Sequence, residues 1–243
     1  MELLILFFQM GARLLILPVY LLDFLGLWIP LRKRLFPPIM EKISIMYNQK
    51  MHKYKKELFS NLEDFTGPSG EVTLLEIGCG TCSNFEFYPP KCKVICVDPN
   101  PNFQPYLSKS LADNRHVQCQ RFLVASGEEM SQVATASVDV VVCTLVLCSV
   151  HNVDAVLREI KRVLKSGGAY YFIEHVAADR ASWDYYFQQV CSPNWQCLFD
   201  ECDLTREIWK NLEKAKFSKL NLRHIEAPLM KLISPHIIGY AIK

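Results

Sequence analysis

The sequence predicts a single α/β sandwich carried behind an apolar N-terminal head. Three observations point to it. From residue 71 onward, short apolar runs alternate with stretches of helical periodicity. Those runs lack a two-residue alternation, as strands covered on both faces do, which implies a parallel sheet. The first run ends in the glycine turn Glu76-Ile77-Gly78-Cys79-Gly80-Thr81-Cys82, where sheets of this kind present their ligands.

The head comes first. Residues 3–31 read LLILFFQMGARLLILPVYLLDFLGLWIPL, long enough to cross a bilayer at about 1.5 Å per residue. Arg13 and Asp23 interrupt the run, and Pro18 removes a backbone donor near its middle. A cleaved signal peptide is disfavoured by Glu2 and by the lack of a small-x-small site before Arg32. A signal-anchor helix remains open. So does a hairpin or interfacial anchor bent near Pro18, which lets Arg13 and Asp23 reach the headgroups.

A basic collar follows. The formal charge of +2 divides into −1 for residues 1–31, +6 for residues 32–58 and −3 for the rest. A general nucleic-acid binder would carry its basic charge over the body, so none is expected as a partner. Disorder is excluded at 50% hydrophobic and 21% charged residues. Ile43, Met46, Met51, Tyr54, Leu58 and Leu62 predict an amphipathic helix over 41–62, within a basic helical segment 32–66. Arg32-Lys33-Arg34 directly after the apolar run places the body on the cytosolic side of any membrane the head enters. The collar would then meet anionic lipid.

The body, 67–243, is predicted to hold strands at 72–77, 93–98, 118–124, 138–143 and 169–176. Helices are expected at 82–88, 102–112, 127–133, 152–165 and 181–190, then a final helix and an antiparallel pair at the sheet edge. Ten cysteines, several inside apolar runs, suit a reducing compartment as free buried thiols. Cys79 and Cys82 form a CxxC, but no second pair or histidine cluster follows at a zinc-like spacing, so no metal role is expected there.

Twenty-two residues beyond Glu76 the second strand ends in Asp98, where an acid can accept from both hydroxyls of a ribose. GxGxxG is not satisfied, because Ser83 occupies its sixth position, and a dinucleotide is disfavoured. At this point the chain resembles the class I S-adenosylmethionine-dependent methyltransferases. Their ExGCGTG motif appears as Glu76–Cys82, their ribose acid as Asp98, their fourth strand as Val138–Val142, and their LxExxRVLxPGG signature as Leu157–Gly168. That resemblance implies a Rossmann-like three-layer sandwich with a mostly parallel seven-stranded sheet, preceded here by the hydrophobic membrane anchor. It also implies S-adenosylmethionine as cofactor, and cofactor contacts from Glu76, Gly78, Cys79, Gly80, Asp98, Ser126, Gly127, Glu128 and Cys143.

FSNLEDFTGPSG, NFEFYPP, VDPNPNF, DVVVCTLVLCSV, EHVAA and the ending PHIIGYAIK, together with the head, resemble the A-type members of the methyltransferase-like protein 7 family. Members are described as membrane- and lipid-droplet-associated alkyl thiol S-methyltransferases. The resemblance therefore implies a small lipophilic thiol substrate, and placement at the endoplasmic reticulum membrane and lipid droplet with the catalytic domain facing the cytosol. An acceptor of another kind, a lipid or quinone, and a catalytically degenerate lipid-surface protein remain as alternatives.

Two departures matter. Cys82 replaces the last motif glycine, which is costly if that position needs positive φ and harmless if a helix has already begun there. Ser126 stands where many relatives carry an acid that accepts from the adenine amino group, with Glu128 as a neighbour or simply as a first-turn helix acid. Sulfur attacking a sulfonium-bound methyl needs alignment and exclusion of water. The sulfonium already activates the methyl, so the chemistry asks for no metal. A base would help form thiolate. His175 and Glu174 at the end of the fifth strand are the candidates, with His151 after the fourth strand third. Trp183, Tyr185, Tyr186, Phe187, Trp195 and Phe199 are expected either to roof an apolar acceptor or to pack in the core.

Overall fold

The computed structural model describes residues 2–67 and 70–243; Met1, and Pro68 and Ser69 of the matched segment FSNLEDFTGPSG, lie outside them. The head forms α1 (Glu2–Leu15) and α2 (Leu17–Phe24), broken at Ile16 just ahead of Pro18 and bent by 81°. A long helix, α3 (Trp28–Leu58), follows and accommodates Pro37 and Pro38. It joins the end of the head to the whole collar, so the expected helix over 41–62 is the distal part of a longer one. It ends at Leu58, where a 3₁₀ turn over Phe59–Phe65 takes over.

Strands β1 (Val72–Ile77), β2 (Cys92–Val97), β3 (Val117–Leu123), β4 (Val138–Thr144) and β5 (Leu164–His175) match the five predicted apolar runs. Helices α4 (Gln104–Asp113) and α5 (Val153–Val163) lie between them, and α6 (Trp183–Leu198) and α7 (Ile208–Lys214) follow. The chain closes with β6 (Lys219–Glu226) and β7 (Pro235–Ile242). The sheet order is β3-β2-β1-β4-β5-β7-β6. Pairing is parallel from β3 to β5, and β7 runs antiparallel to both β5 and β6, which makes the sheet mixed.

Successive side chains of a strand point to opposite faces, and here both faces are covered. Leu75, Ile77, Val141, Cys143, Tyr170 and Phe172 pack with α5 and α7 in one core. Leu74, Val140, Val142, Tyr171 and Ile173 pack with Tyr47, Met51 and Leu58 of α3 in the other. This is why the runs read as unbroken apolar stretches.

Two expected helices do not form. Over 82–88 there is only a 3₁₀ turn, Phe85–Phe87, because Cys82 takes a left-handed conformation at φ 56° that no α-helix admits. Over 127–133 the chain stays irregular, its backbone held by long-range partners: Met130 N donates to Glu159 Oε2 at 2.8 Å.

Among the described residues no single helix is long and apolar enough to cross a membrane; α1 and α2 together reach that length but are bent. The head instead lies along α6. Gln9 donates to Gln189 O, Tyr20 to Asn194 Oδ1, Asn194 to Ala12 O and Trp28 to Cys197 O. Its outer surface remains strongly apolar, with Leu3, Leu14 and Phe24 exposed by 83%, 68% and 88%.

Candidate active site

A cavity of about 350 Å³ opens at the carboxyl ends of β1, β2 and β4. Its floor is the turn after β1. Gly78 takes φ +61°, and a Cβ there would lie 2.3 Å from Val146 Cγ2, so only glycine lets the chain pass under the β4 loop. Gly80 takes φ +49° and its N–H donates to Asp98 Oδ2 at 3.0 Å; the other oxygen, Oδ1, accepts from Asn100 N at 2.8 Å. Burial raises the Asp98 carboxyl to about 6 despite those two bonds. The cramped glycine turn, the acid at the end of β2 and the size of the cavity fit an adenosyl group lying across the strand ends.

Beside the turn lies a polar cluster that the sequence conceals. Glu76 accepts from Asn84 Nδ2 at 2.8 Å and from the Tyr88 hydroxyl at 2.9 Å. Asn84 in turn accepts from Lys55 Nζ at 2.7 Å. Burial pushes Glu76 up to about 7 and Lys55 down to about 8. Lys55 thus leaves the solvated collar to which its charge assigned it. Arg32 leaves it too, for it is buried and its guanidinium lies 3.1 Å from Asp200 Oδ1 and 3.5 Å from Glu201 Oε1. No signal in the sequence marks either residue, because their partners come from distant segments.

Glu76, Gly78, Cys79, Gly80, Asp98, Ser126, Gly127 and Glu128 all line the cavity. The Ser126 hydroxyl donates to Glu128 Oε2 at 3.1 Å, and Glu128 Oε1 accepts from Asn152 N. Glu128 is therefore a loop residue tied to its neighbours, and its carboxylate caps the entry to α5.

Cys143, Glu174 and His175 are not on the cavity wall, and this corrects the expected sites. Cys143 points to the opposite side of β4, into the core, with its Sγ 3.6 Å from Glu174 Oε1. Glu174 is fully buried and accepts from Val146 N at 3.1 Å and Leu147 N at 3.2 Å, so it braces the loop after β4. The His175 ring is buried with Nε2 2.8 Å from Cys202 Sγ. His151 is the imidazole on the cavity wall, with Nδ1 3.6 Å from Glu201 Oε2.

The aromatic residues after β5 do not roof the cavity either. Trp195 and Phe199 stack at 4.2 Å against the core, Tyr186 meets Phe8 of the head, and Trp183 and Phe187 are exposed beside it. The wall facing the glycine turn is α3 instead, through Ile29, Phe36, Met40, Ile43 and Tyr47. Tyr47 is buried and stacks on His236 at 6.0 Å, and its hydroxyl has no protein partner among the described residues. Only its helical spacing with Met51 and Leu58 was visible in advance, and that spacing reads as core.

A family model described as "Methyltransferase domain" matches residues 75–172. The chain is 60% identical over 223 residues to thiol S-methyltransferase TMT1A of Homo sapiens, with 91% of each chain covered. To thiol S-methyltransferase TMT1B of Homo sapiens it is 50% identical over 244 residues, with 100% of each covered. Among solved structures, a geranyl diphosphate methyltransferase in complex with GPP and sinefungin superposes with a TM-score of 0.59 at 14% identity, over 79% of this chain and 77% of that one. A SAM-dependent methyltransferase from Aquifex aeolicus superposes with a TM-score of 0.53 at 16% identity, over 85% and 97%. The structural likenesses carry the fold and the full-length identities carry the family: the chain belongs to the thiol S-methyltransferases, within the class I methyltransferases that use S-adenosylmethionine.

Proposed function

We propose that the protein transfers the methyl of S-adenosylmethionine to the sulfur of small lipophilic alkyl thiols at a membrane surface. One observation carries the acceptor reading. The cavity has the glycine turn and Asp98 on one side and the apolar residues of α3 on the other. The outer face of that same helix continues the exposed apolar surface of the head through Leu31, Leu35 and Ile39. The human relatives named as thiol S-methyltransferases support sulfur as the attacking atom.

S-adenosylmethionine supplies, when bound, a methyl on a positively charged sulfur that a thiol can displace in line. The protein's part is to hold and align. Asp98 accepts from the ribose hydroxyls, while Gly80 N and Asn100 N fix its carboxylate. Ile29, Phe36, Met40 and Ile43 take the alkyl chain and keep water from the reacting sulfur. Tyr47 offers the thiol a hydroxyl on a wall that Arg32, Lys33, Ser44 and Lys55 of the same helix also line. His151 receives the thiol proton as the new carbon–sulfur bond forms.

The head supports an interfacial attachment. Its two bent helices expose Leu3, Phe7, Leu14, Leu21 and Phe24, Trp183 and Phe187 are exposed as well, and Lys33, Arg34 and Lys42 stand exposed on the helix that follows. We assign this attachment to the cytosolic face of the endoplasmic reticulum and to lipid droplets. Purified full-length protein with methyl-labelled donor, offered alkyl thiols and hydroxylated lipids in parallel, tests the reaction. Label in the thiols alone is expected; label in the hydroxylated lipids alone overturns the choice of acceptor.

A further inference from the structure

The CxxC that lacked partners in the sequence finds one in the fold. β1 and β2 pair in parallel with Glu76 opposite Cys96, which brings the Cys96 thiol beneath the turn that follows β1. The sulfurs of Cys79, Cys82 and Cys96 all lie within 4.8 Å of one another, and all three residues are buried. A zinc-class ion bound at about 2.3 Å from each sulfur needs them about 3.8 Å apart. Small side-chain rotations reach that spacing.

The backbone at the same place is unusual as well, Cys82 being one of seven non-glycine residues at positive φ among the described residues. Cys82 holds φ 56°, a conformation costing a non-glycine residue roughly 1 kcal/mol or more, at a position where the class has glycine. Retained backbone strain of this kind collects at functional sites. Cys82 borders a surface hollow with Thr81, Ser110 and Asn114, which is a route inward for an ion.

We propose that Cys79, Cys82 and Cys96 form a trithiolate site for a soft divalent metal ion of the zinc class. Cys119 neighbours Cys96 on β3, but its thiol donates to Arg121 O and lies outside this group of three. Each thiol releases its proton to solvent as its sulfur bonds to the ion, so uptake strengthens as pH rises. The bound ion clamps the turn between Gly78 and Gly80, the floor of the adenosyl side. The other buried sulfur cluster, Cys148, His175 and Cys202, is the weaker candidate. A metal on His175 Nε2 would leave a proton on Nδ1, and Nδ1 has no partner to receive it among the described residues.

Cadmium is the probe. Full-length protein is reduced and stripped with a chelator, and alkylation of an unfolded sample confirms ten free thiols before titration. One Cd²⁺ per chain is expected to give a thiolate charge-transfer band and to raise Tm. Cys82→Gly suits the left-handed backbone and should remain folded; it and Cys96→Ser should lose the band and the shift, while Cys202→Ser keeps both. Absence of a band in the fully reduced parent overturns the proposal, and so does an equal band in folded Cys82→Gly.

Discussion

The guanidinium of Arg32 lies 3.1 Å from the carboxylate of Asp200, and this pair fastens α3 to the segment between α6 and α7 across the mouth of the cavity. Arg32 also donates to Cys197 O at 3.2 Å. Arg32→Ala leaves Asp200 without its cation, although Cys197 O keeps the bond from Trp28, and should cost about 1–3 kcal/mol. Urea unfolding reads the loss. Because both residues border the cavity, KM for the thiol should rise more than kcat falls.

Asp98→Ala should abolish binding of S-adenosylhomocysteine in a calorimetric titration; native affinity would rule out the ribose role. The pH dependence has a definite sign. Asp98 protonates at about 6, and a protonated acid cannot accept from two backbone N–H groups and a ribose together. Affinity should therefore be flat above 6 and fall roughly tenfold per pH unit below it, with Asp98→Asn flattening the profile. For folding the sign reverses. The native state keeps a proton that the unfolded chain has lost, so this group favours folding increasingly as pH drops from about 6 toward the ordinary carboxylate range.

The two histidines should separate cleanly. His151→Ala, on the cavity wall, should lower kcat several-fold, with the deficit shrinking as pH rises and more thiol ionises unaided. His175→Ala, buried against Cys202, should lose about 1–3 kcal/mol in urea unfolding. A catalytic loss in His175→Ala at full native stability would return it to the list of bases.

Attachment of the head can be weakened without touching the cavity. Phe7 and Leu14 are exposed on α1, away from α6. Burying each in lipid is worth roughly 1.5–3 kcal/mol, so Phe7→Glu with Leu14→Glu should reduce flotation with vesicles containing anionic lipid by at least tenfold. Unchanged flotation would refute the interfacial reading.

The strands and the adenosyl turn were legible in the sequence because their signals are local: apolar runs, a glycine pair, an acid at a strand end. What failed to show depends on pairing across the chain. Lys55 reads as one more collar lysine until Asn84 is folded beside it. Cys96 reads as a strand residue until the register with β1 sets it under Cys79 and Cys82. His175 occupies a strand end, as a catalytic base would, yet its ring is buried against the Cys202 thiol, which only the fold brings there. The helix expected over 82–88 failed on a single backbone angle that composition cannot report.

Helix α3 has its first turn in the apolar head and its last turns, with Tyr47 and Lys55, against the strand ends, about 46 Å of one continuous rod. A rod held at both ends is a lever. If the head attaches as proposed, whatever tilts the first turn, whether a flat bilayer, a droplet monolayer or a strongly curved micelle, would shift the α3 wall of the cavity. On the proposed attachment, the detergent chosen for purification would then act as a reagent in the assay, and Michaelis constants measured in two different detergents would differ.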